Sequence, residues 1–398
     1  MTERLYRHDS YLTTFTARVL ECLPRDAGNA VVLDRTGFYA AAGGQPCDFG
    51  MLGGVPVVDV SERADGAIVH VLGAKRDFAP GDTLTGTIDF RRRFDYMQQH
   101  SGQHLLSQAL VRTAGAETLS VHFGDEASTI DVDAVALGAE KLAALEVEVN
   151  RAVQSDLAVV VREVPEAEVA AYGLRRPPKV TGMVRIVEFE GYDWSACGGT
   201  HVRRSGQVGA VALVKSEKRK GGTRLTFLCG NRAIVHHRIL NAQAVMLGEL
   251  LSVSPLEVLP AFERWREESQ AVRTRLSEAT ELVLDAEAAR LRASGRQIGA
   301  ENWIVATLDG REPDSMRALA KRLVTDAKTV VLLASAGPRT FFCFSRAPDA
   351  MADMSALLRA ALARVGAKGG GSASYAQGGG PAATREATEA ILAALIPG

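Results

Sequence analysis

The sequence predicts a multi-domain α+β protein built from four parts in order. They are a small N-terminal β-barrel (1–90), an α+β domain (91–230), a helical hairpin or coiled-coil linker (231–297) and a C-terminal α/β domain (298–398). Three observations support this. The first 90 residues are short β-branched runs broken by turn signals. Residues 256–292 carry an apolar stripe spaced by fours and threes. The last hundred residues alternate strand-like and helix-like runs. At 398 residues the chain is also too long for one core.

In the first part the candidate strands are 12–20, 30–34, 55–60, 67–72 and 83–90. Asp26-Ala27-Gly28-Asn29, Asp65-Gly66 and Pro80-Gly81-Asp82 separate them as turns. Short strands at this spacing suggest a small barrel. Residues 34–50, with Gly43-Gly44-Gln45-Pro46-Cys47-Asp48, are less ordinary. They read either as a long β-hairpin loop or as a glycine loop that aims Gln45 and Asp48 at a neighbouring surface.

A helix is predicted over 91–116, with Phe94, Met97, Leu105, Ala109 and Leu110 on its apolar face. It opens with Arg91-Arg92-Arg93. Cations oppose the helix dipole there, so these arginines read as phosphate contacts or as a solvated charge run. Strands at 120–123, 128–132, 158–164, 184–189, 208–215 and 224–229 alternate with a helix at 139–155 and a short one at 166–171. The irregular Arg175-Arg176-Pro177-Pro178-Lys179 precedes the fourth of these strands. Helices at 231–251 and 256–292 then form the linker. Phe262, Trp265, Ser269, Val272, Leu276, Ala279, Val283 and Ala286 make the stripe, and 296–299 reads as a hinge. In the last part, strands 303–308, 329–334 and 340–345 alternate with helices 314–326 and 352–365. A glycine loop, 368–380, and a helix at 382–395 follow. The loop, with Lys368, Tyr375 and Gln377, reads as a binding surface that offers backbone N–H groups to an anion.

The chemistry concentrates in two short stretches, His100-Ser101-Gly102-Gln103-His104 and Cys197-Gly198-Gly199-Thr200-His201. Residues four apart on a helix share a face, so His100 and His104 can grip one ion. Cys197 and His201 flank a glycine turn that can fold two more donors toward it. Three imidazoles and one thiolate suit zinc. Separately, the histidine pair reads as packed or solvated and the cysteine as a buried thiol; together they read as a zinc site.

Formal net charge is −1, so any polyanion-binding surface must be a local patch. Residues 202–224 hold one, with seven basic residues and Glu217, read as a polyanion contact or a solvated hairpin. Hydrophobic content of 46% and charged content of 23% fit a globular chain. The five cysteines are irregularly spaced and imply a reducing compartment. No signal peptide or membrane-spanning run is apparent, which gives a cytoplasmic reading with no membrane partner.

The paired motifs, with Phe38-Tyr39 through Gly43-Gly44-Gln45 and Asp48, resemble the editing part of alanyl-tRNA synthetases and the free-standing long AlaX-type trans-editing proteins. The likeness covers nearly the whole chain, and 368–380 is similar to the DHH-associated C-terminal domain. It implies a zinc editing domain with His100, His104, Cys197 and His201 as ligands. It also implies hydrolysis of Ser-tRNA(Ala), and often Gly-tRNA(Ala), with tRNA(Ala) as partner and a homodimer through the C-terminal region. Gln45 and Gln103 are the candidates to hydrogen-bond the aminoacyl group. Gln103 stands where the synthetases usually carry a Thr credited with sensing the serine hydroxyl. The barrel begins almost at Met1, which predicts no aminoacylation domain. Two other classes fit the same residues: a zinc hydrolase of another small ester or amide, and a non-catalytic tRNA-binding protein with structural zinc.

Overall fold

The structure is a computed structural model that describes residues 2–25, 28–134, 137–178 and 181–397. The predicted turn residues Asp26 and Ala27 and the loop residue Lys179 lie outside the described residues. The chain divides into two compact units, Met1–Leu250 and Leu251–Gly398.

In the first unit, β1 (Thr14–Arg25), β2 (Gly28–Leu33), β3 (Gly50–Leu52), β4 (Val55–Glu62), β5 (Ile68–Leu72) and β6 (Thr83–Ile88) close a barrel in the order β1-β2-β5-β4-β3-β6. Alternation drives it: along β6 every second residue is buried. Phe15, Val31, Leu33, Phe38, Leu52, Val60, Ile68 and Leu72 fill the interior. The segment between β2 and β3 is not a hairpin loop, because those two strands are not neighbours. It crosses to another edge of the barrel, and within it Arg35–Thr36 pairs with Glu3–Arg4.

Helix α1 (Phe90–Ala114) follows. Asp89 caps it by accepting from the Arg92 N–H, and Gly115 ends it at φ 61°. It packs among β7 (Thr118–Phe123), β8 (Ser128–Val132), α2 (Ala139–Gln154), β9 (Val159–Pro165), β10 (Met183–Phe189), β11 (Asp193–Ala196), β12 (Val211–Arg219) and β13 (Gly222–Cys229). These strands form two antiparallel sheets, β12-β13-β8-β7 and β9-β10-β11. Strand β11 falls in a stretch to which the sequence assigns no element, since four residues are too few to show a period. Helix α3 (Asn231–Leu251) completes the unit.

The opening arginines of α1 have different tasks from those expected. Arg93 is fully buried and Asp48 is 3% exposed. The Arg93 Nε donates to both Asp48 carboxylate oxygens at 2.9 Å, and its Nη1 and Nη2 reach the Ser10 carbonyl at 2.9 Å and the Gly37 carbonyl at 2.6 Å. Arg92 lies over the Phe49 ring at 4.0 Å. Only Arg91 is exposed. Most of the basic stretch beyond residue 202 is likewise paired: Arg203 with Asp9, Arg204 with Asp156, Lys215 with Glu217 and Arg224 with Asp131. Lys218, Arg219 and Lys220 remain exposed at the β12–β13 turn.

In the second unit, α4 (Val258–Ala293) leads to β14 (Arg296–Ile298), β15 (Glu301–Asp309), α5 (Pro313–Leu323), β16 (Thr329–Ala336), β17 (Thr340–Arg346), α6 (Met354–Val365), β18 (Lys368–Gly371), β19 (Tyr375–Gly380) and α7 (Arg385–Ala393). The sheet runs β14-β15-β16-β17-β19-β18. Its centre, β16, is buried at every residue, because α6 and α7 cover one face and α5 with the end of α4 the other. Two expectations are corrected. The 296–299 hinge is strand β14, paired with β15. The glycine loop 368–380 is the β18–β19 hairpin, in which β19 pairs with β17 and β18 forms the edge of the sheet. Glycine here permits close strand approach: a Cβ on Gly369 would meet the Gly378 Cα at 2.4 Å. The α4 stripe is exposed at Phe262, Trp265, Val272, Leu276 and Val283, while Ala261 near the start of the helix and Leu284, Ala288 and Leu291 near its end are buried.

Two tests follow from the barrel and its junction with α1. Arg93→Met leaves the Asp48 carboxylate buried without its cation and is expected to destabilise the first unit by about 3–5 kcal/mol in denaturant unfolding. His70 is fully buried in the barrel, with Nδ1–H toward the Val31 carbonyl at 3.3 Å and Nε2 accepting from the Thr36 hydroxyl at 2.7 Å. Burial pushes it down to about 4 from 6.5. Between these values the unfolded chain binds the extra proton, so stability is full above about 6.5 and falls as pH drops toward 4. His70→Asn should flatten that part of the pH–stability curve.

Candidate metal centre

Two elements and a turn assemble the site. Helix α1 presents His100 and His104 one turn apart, with their rings stacked at 5.3 Å. The segment after β11 brings in Cys197 and His201. Cys197 Sγ lies 3.3 Å from His100 Nε2 and 3.3 Å from His201 Nε2. The four ligand atoms lie within 4.8 Å of one another. Zinc bonds of about 2.3 Å to sulfur and 2.0–2.1 Å to nitrogen place tetrahedral ligands roughly 3.5 Å apart. The spacing and the donors therefore fit a metal ion, and the four residues singled out from sequence come together.

Each histidine has a partner for its other nitrogen, which leaves Nε2 for the ion. His100 Nδ1 lies 2.7 Å from Gln45 Oε1, and Gln45 Nε2 donates to the Thr200 hydroxyl at 2.8 Å. His104 Nδ1 lies 3.1 Å from Asp193 Oδ2. Asp193 also accepts from Arg175 Nε and the Ser195 hydroxyl, each at 2.9 Å. His201 Nδ1 lies 3.4 Å from Ser101 Oγ. Arg185 braces the turn, donating to the Cys197 carbonyl at 2.8 Å and the Gly199 carbonyl at 3.0 Å. Only glycine fits at 199, because a Cβ there would sit 2.3 Å from His100 Cε1.

The charges suit metal capture. Burial pushes the Cys197 thiol up, but His100 and His201 hold it well below the usual thiol range. Burial also opposes the Asp193 carboxylate, which His104 and Arg175 keep below its ordinary value. His104 is disfavoured as a cation by burial, yet Asp193 and Cys197 push it up to about 9. Burial pushes His201 down to about 3. These shifts favour the ionised thiol and carboxyl that metal binding requires.

Gln45 is 2% exposed and its loop does aim it at the histidines. Gln103 is 7% exposed, and its amide donates to the Ser107 hydroxyl at 2.7 Å, one turn along α1. Reading the sequence missed Asp193, Arg175, Arg185 and Ser101. A buried ligand histidine needs an acceptor for Nδ1–H, so the Asp193 carboxylate just ahead of the cysteine motif was the one available signal.

Residues 184–226, which span β10 to β13 and include Cys197 and His201, match the family described as the threonyl and alanyl tRNA synthetase second additional domain. The "Alanyl-tRNA editing protein AlaX-L" of Pyrococcus horikoshii is 29% identical over 391 residues, which cover 95% of this chain and 94% of that protein. The chain is similar to that editing protein along nearly the whole length of both. It is also 32% identical to the alanine–tRNA ligase of Pyrobaculum neutrophilum over 99% of its own length, and it spans 44% of that ligase. The mouse "Alanyl-tRNA editing protein Aarsd1" is 34% identical over 255 residues, 58% of this chain and 59% of that protein. The solved C-Ala domain of Aquifex aeolicus alanyl-tRNA synthetase is 27% identical and aligns with 25% of this chain and 96% of its own, with a TM-score of 0.23.

The hydrogen bonds behind the ligands give the prediction for this centre. Gln45→Ala and Asp193→Asn should each weaken metal binding about 10–100-fold while leaving one ion per chain at saturation. A competition titration with a chromophoric chelator reads this directly.

Proposed function

We propose that this chain is a zinc-dependent aminoacyl-tRNA deacylase that hydrolyses mischarged Ser-tRNA(Ala), and also Gly-tRNA(Ala), in trans. The observation that carries the reading is the buried four-donor cluster of His100, His104, Cys197 and His201, two of whose members lie in the matched synthetase domain. The relative named AlaX-L, aligned over nearly its full length, supports the same activity. The bond broken is the ester between the amino acid and the terminal ribose, with water as nucleophile. Bound zinc supplies a Lewis acid for the carbonyl or a hydroxide near neutral pH.

The chain's own residues do the rest. His100, His104, Cys197 and His201 hold the ion. Gln45 and Gln103 hydrogen-bond the aminoacyl group. A site that rewards a substrate hydroxyl rejects alanine, because alanine leaves a buried polar group unpaired. One feature favours a second reading, a tRNA-binding protein with structural zinc: four protein ligands fill a tetrahedron, whereas a catalytic zinc keeps a position open. Residues 1–90 and 91–230 form the editing part of the proposed protein, 231–297 links, and 298–398 makes a homodimer. The working compartment is the cytoplasm. No single helix among the described residues is long and apolar enough to cross a membrane.

The test is deacylation of Ser-, Gly- and Ala-tRNA(Ala) by the purified chain beside Cys197→Ala. The expected outcome is release of serine and glycine with alanine retained, and loss of activity of at least about 100-fold in the variant. Tight binding of zinc and tRNA without cleavage of any ester would leave the binding-protein reading in its place.

A further inference from the structure

Of the two glutamines at the metal centre, Gln103 alone keeps its amide oxygen to spare. Gln45 Oε1 lies 2.7 Å from His100 Nδ1 and accepts from the Thr200 N–H at 3.4 Å. Both its lone pairs are therefore committed to the protein. Gln103 is arranged the other way. Its Nε2 donates to the Ser107 hydroxyl at 2.7 Å, while its Oε1 takes no hydrogen bond among the described residues and is not enclosed.

Ser107 is itself held. Its Oγ lies 2.7 Å from the Oγ1 of Thr118, the first residue of β7. Ser107 is fully buried and Thr118 is 5% exposed. At the other end of β7, the Phe123 ring lies 4.9 Å from the His100 ring. Positions 100, 103, 104 and 107 share one face of α1. Gln103 therefore sits between a ligand histidine and a buried pair of hydroxyls that ties the helix to β7. A free glutamine samples several rotamers, and an anchored amide loses that freedom in advance of any ligand.

A hydroxyl can accept from an amide or donate to it. Ser107 and Thr118 thus fix where the Gln103 amide lies, and the metal centre fixes which end points outward. A dication with one thiolate among its ligands leaves positive charge beside the helix. That charge favours the oxygen end on its side and the Nε2 end against Ser107, which is the orientation in the structure.

We infer that Ser107 and Thr118 are positioning residues, which hold Gln103 Oε1 as the acceptor for the side-chain hydroxyl of a bound seryl group. The inference rests on the proposed deacylase reading. Once an aminoacyl group covers the oxygen, an acceptor left without a donor is costly. Serine fills it and alanine does not. Without the anchor the amide turns toward other partners, and the penalty against alanine fades while the metal stays bound.

The test measures binding of stable analogues and so does not depend on turnover. The full zinc-loaded chain is titrated with 3′-amino-3′-deoxyadenosine that carries serine or alanine through an amide in place of the ester. Wild type should prefer the seryl analogue. Ser107→Ala and Thr118→Val should each reduce that preference about 3–10-fold, chiefly through weaker seryl binding, with zinc retained. Thr118→Ser, which keeps the hydroxyl, should stay near wild type. Gln103→Ala should lose the preference, and adding Ser107→Ala to it should change nothing further, because Ser107 acts through Gln103. A merely structural hydrogen bond would weaken both analogues equally or add to Gln103→Ala. Either result overturns the assignment, as does a wild type without serine preference. Deacylation of Ser-tRNA(Ala) beside the titration separates the two readings. Coupling of Ser107 to Gln103 without ester cleavage keeps the positioning role and sinks the deacylase, and cleavage without coupling does the reverse.

Discussion

The ion pair between Arg93 and Asp48 holds the first unit in its working arrangement. It joins the crossover loop of the barrel to the first turns of α1, and both partners are buried. A buried charge pair is tolerable only where further hydrogen bonds satisfy it. Here the guanidinium also meets the Ser10 and Gly37 carbonyls, and the carboxylate accepts from the Tyr39 N–H at 2.6 Å. Seven residues beyond Arg93 along α1 is His100, and three residues before Asp48 is Gln45. Pinning one pair of positions therefore brings the other pair into hydrogen-bond range.

The same constraint orients the ligands of the centre. Each ligand histidine is oriented from behind by a group on a different segment: Gln45 from the barrel loop, Asp193 from β11 and Ser101 from α1 itself. With Nδ1 engaged, the imidazole has one tautomer and one nitrogen to offer. Gly102 lets α1 lie close to β13, since a Cβ there would strike Cys229 Sγ at 2.3 Å. The helix can then sit at the depth where its histidines face the Cys197 turn.

These features differ in how far the sequence reveals them. The barrel strands were legible because one-sided burial writes a period of two, and the ligand quartet because His and Cys at four-residue spacing is chemically narrow. Arg93 was not legible. Three arginines at a helix start look alike in sequence, and only the crossover loop, which arrives from more than forty residues upstream, decides that the third is buried while the first is solvated. The glycine tail misled for a related reason. Glycine permits both an anion-binding loop and close strand packing, and the choice rests on β17, whose ladder supplies β19 with its hydrogen bonds. Strand β11 and its Asp193 were hidden by brevity.

Net charge shows where a polyanion can be met. With a formal charge of −1 the chain has no long-range field to draw RNA in. Pairing of most arginines in the first unit with carboxylates leaves few cations for an outside phosphate. Those at the β12–β13 turn are solvated, and a solvated cation gains little from one phosphate because salt screens it.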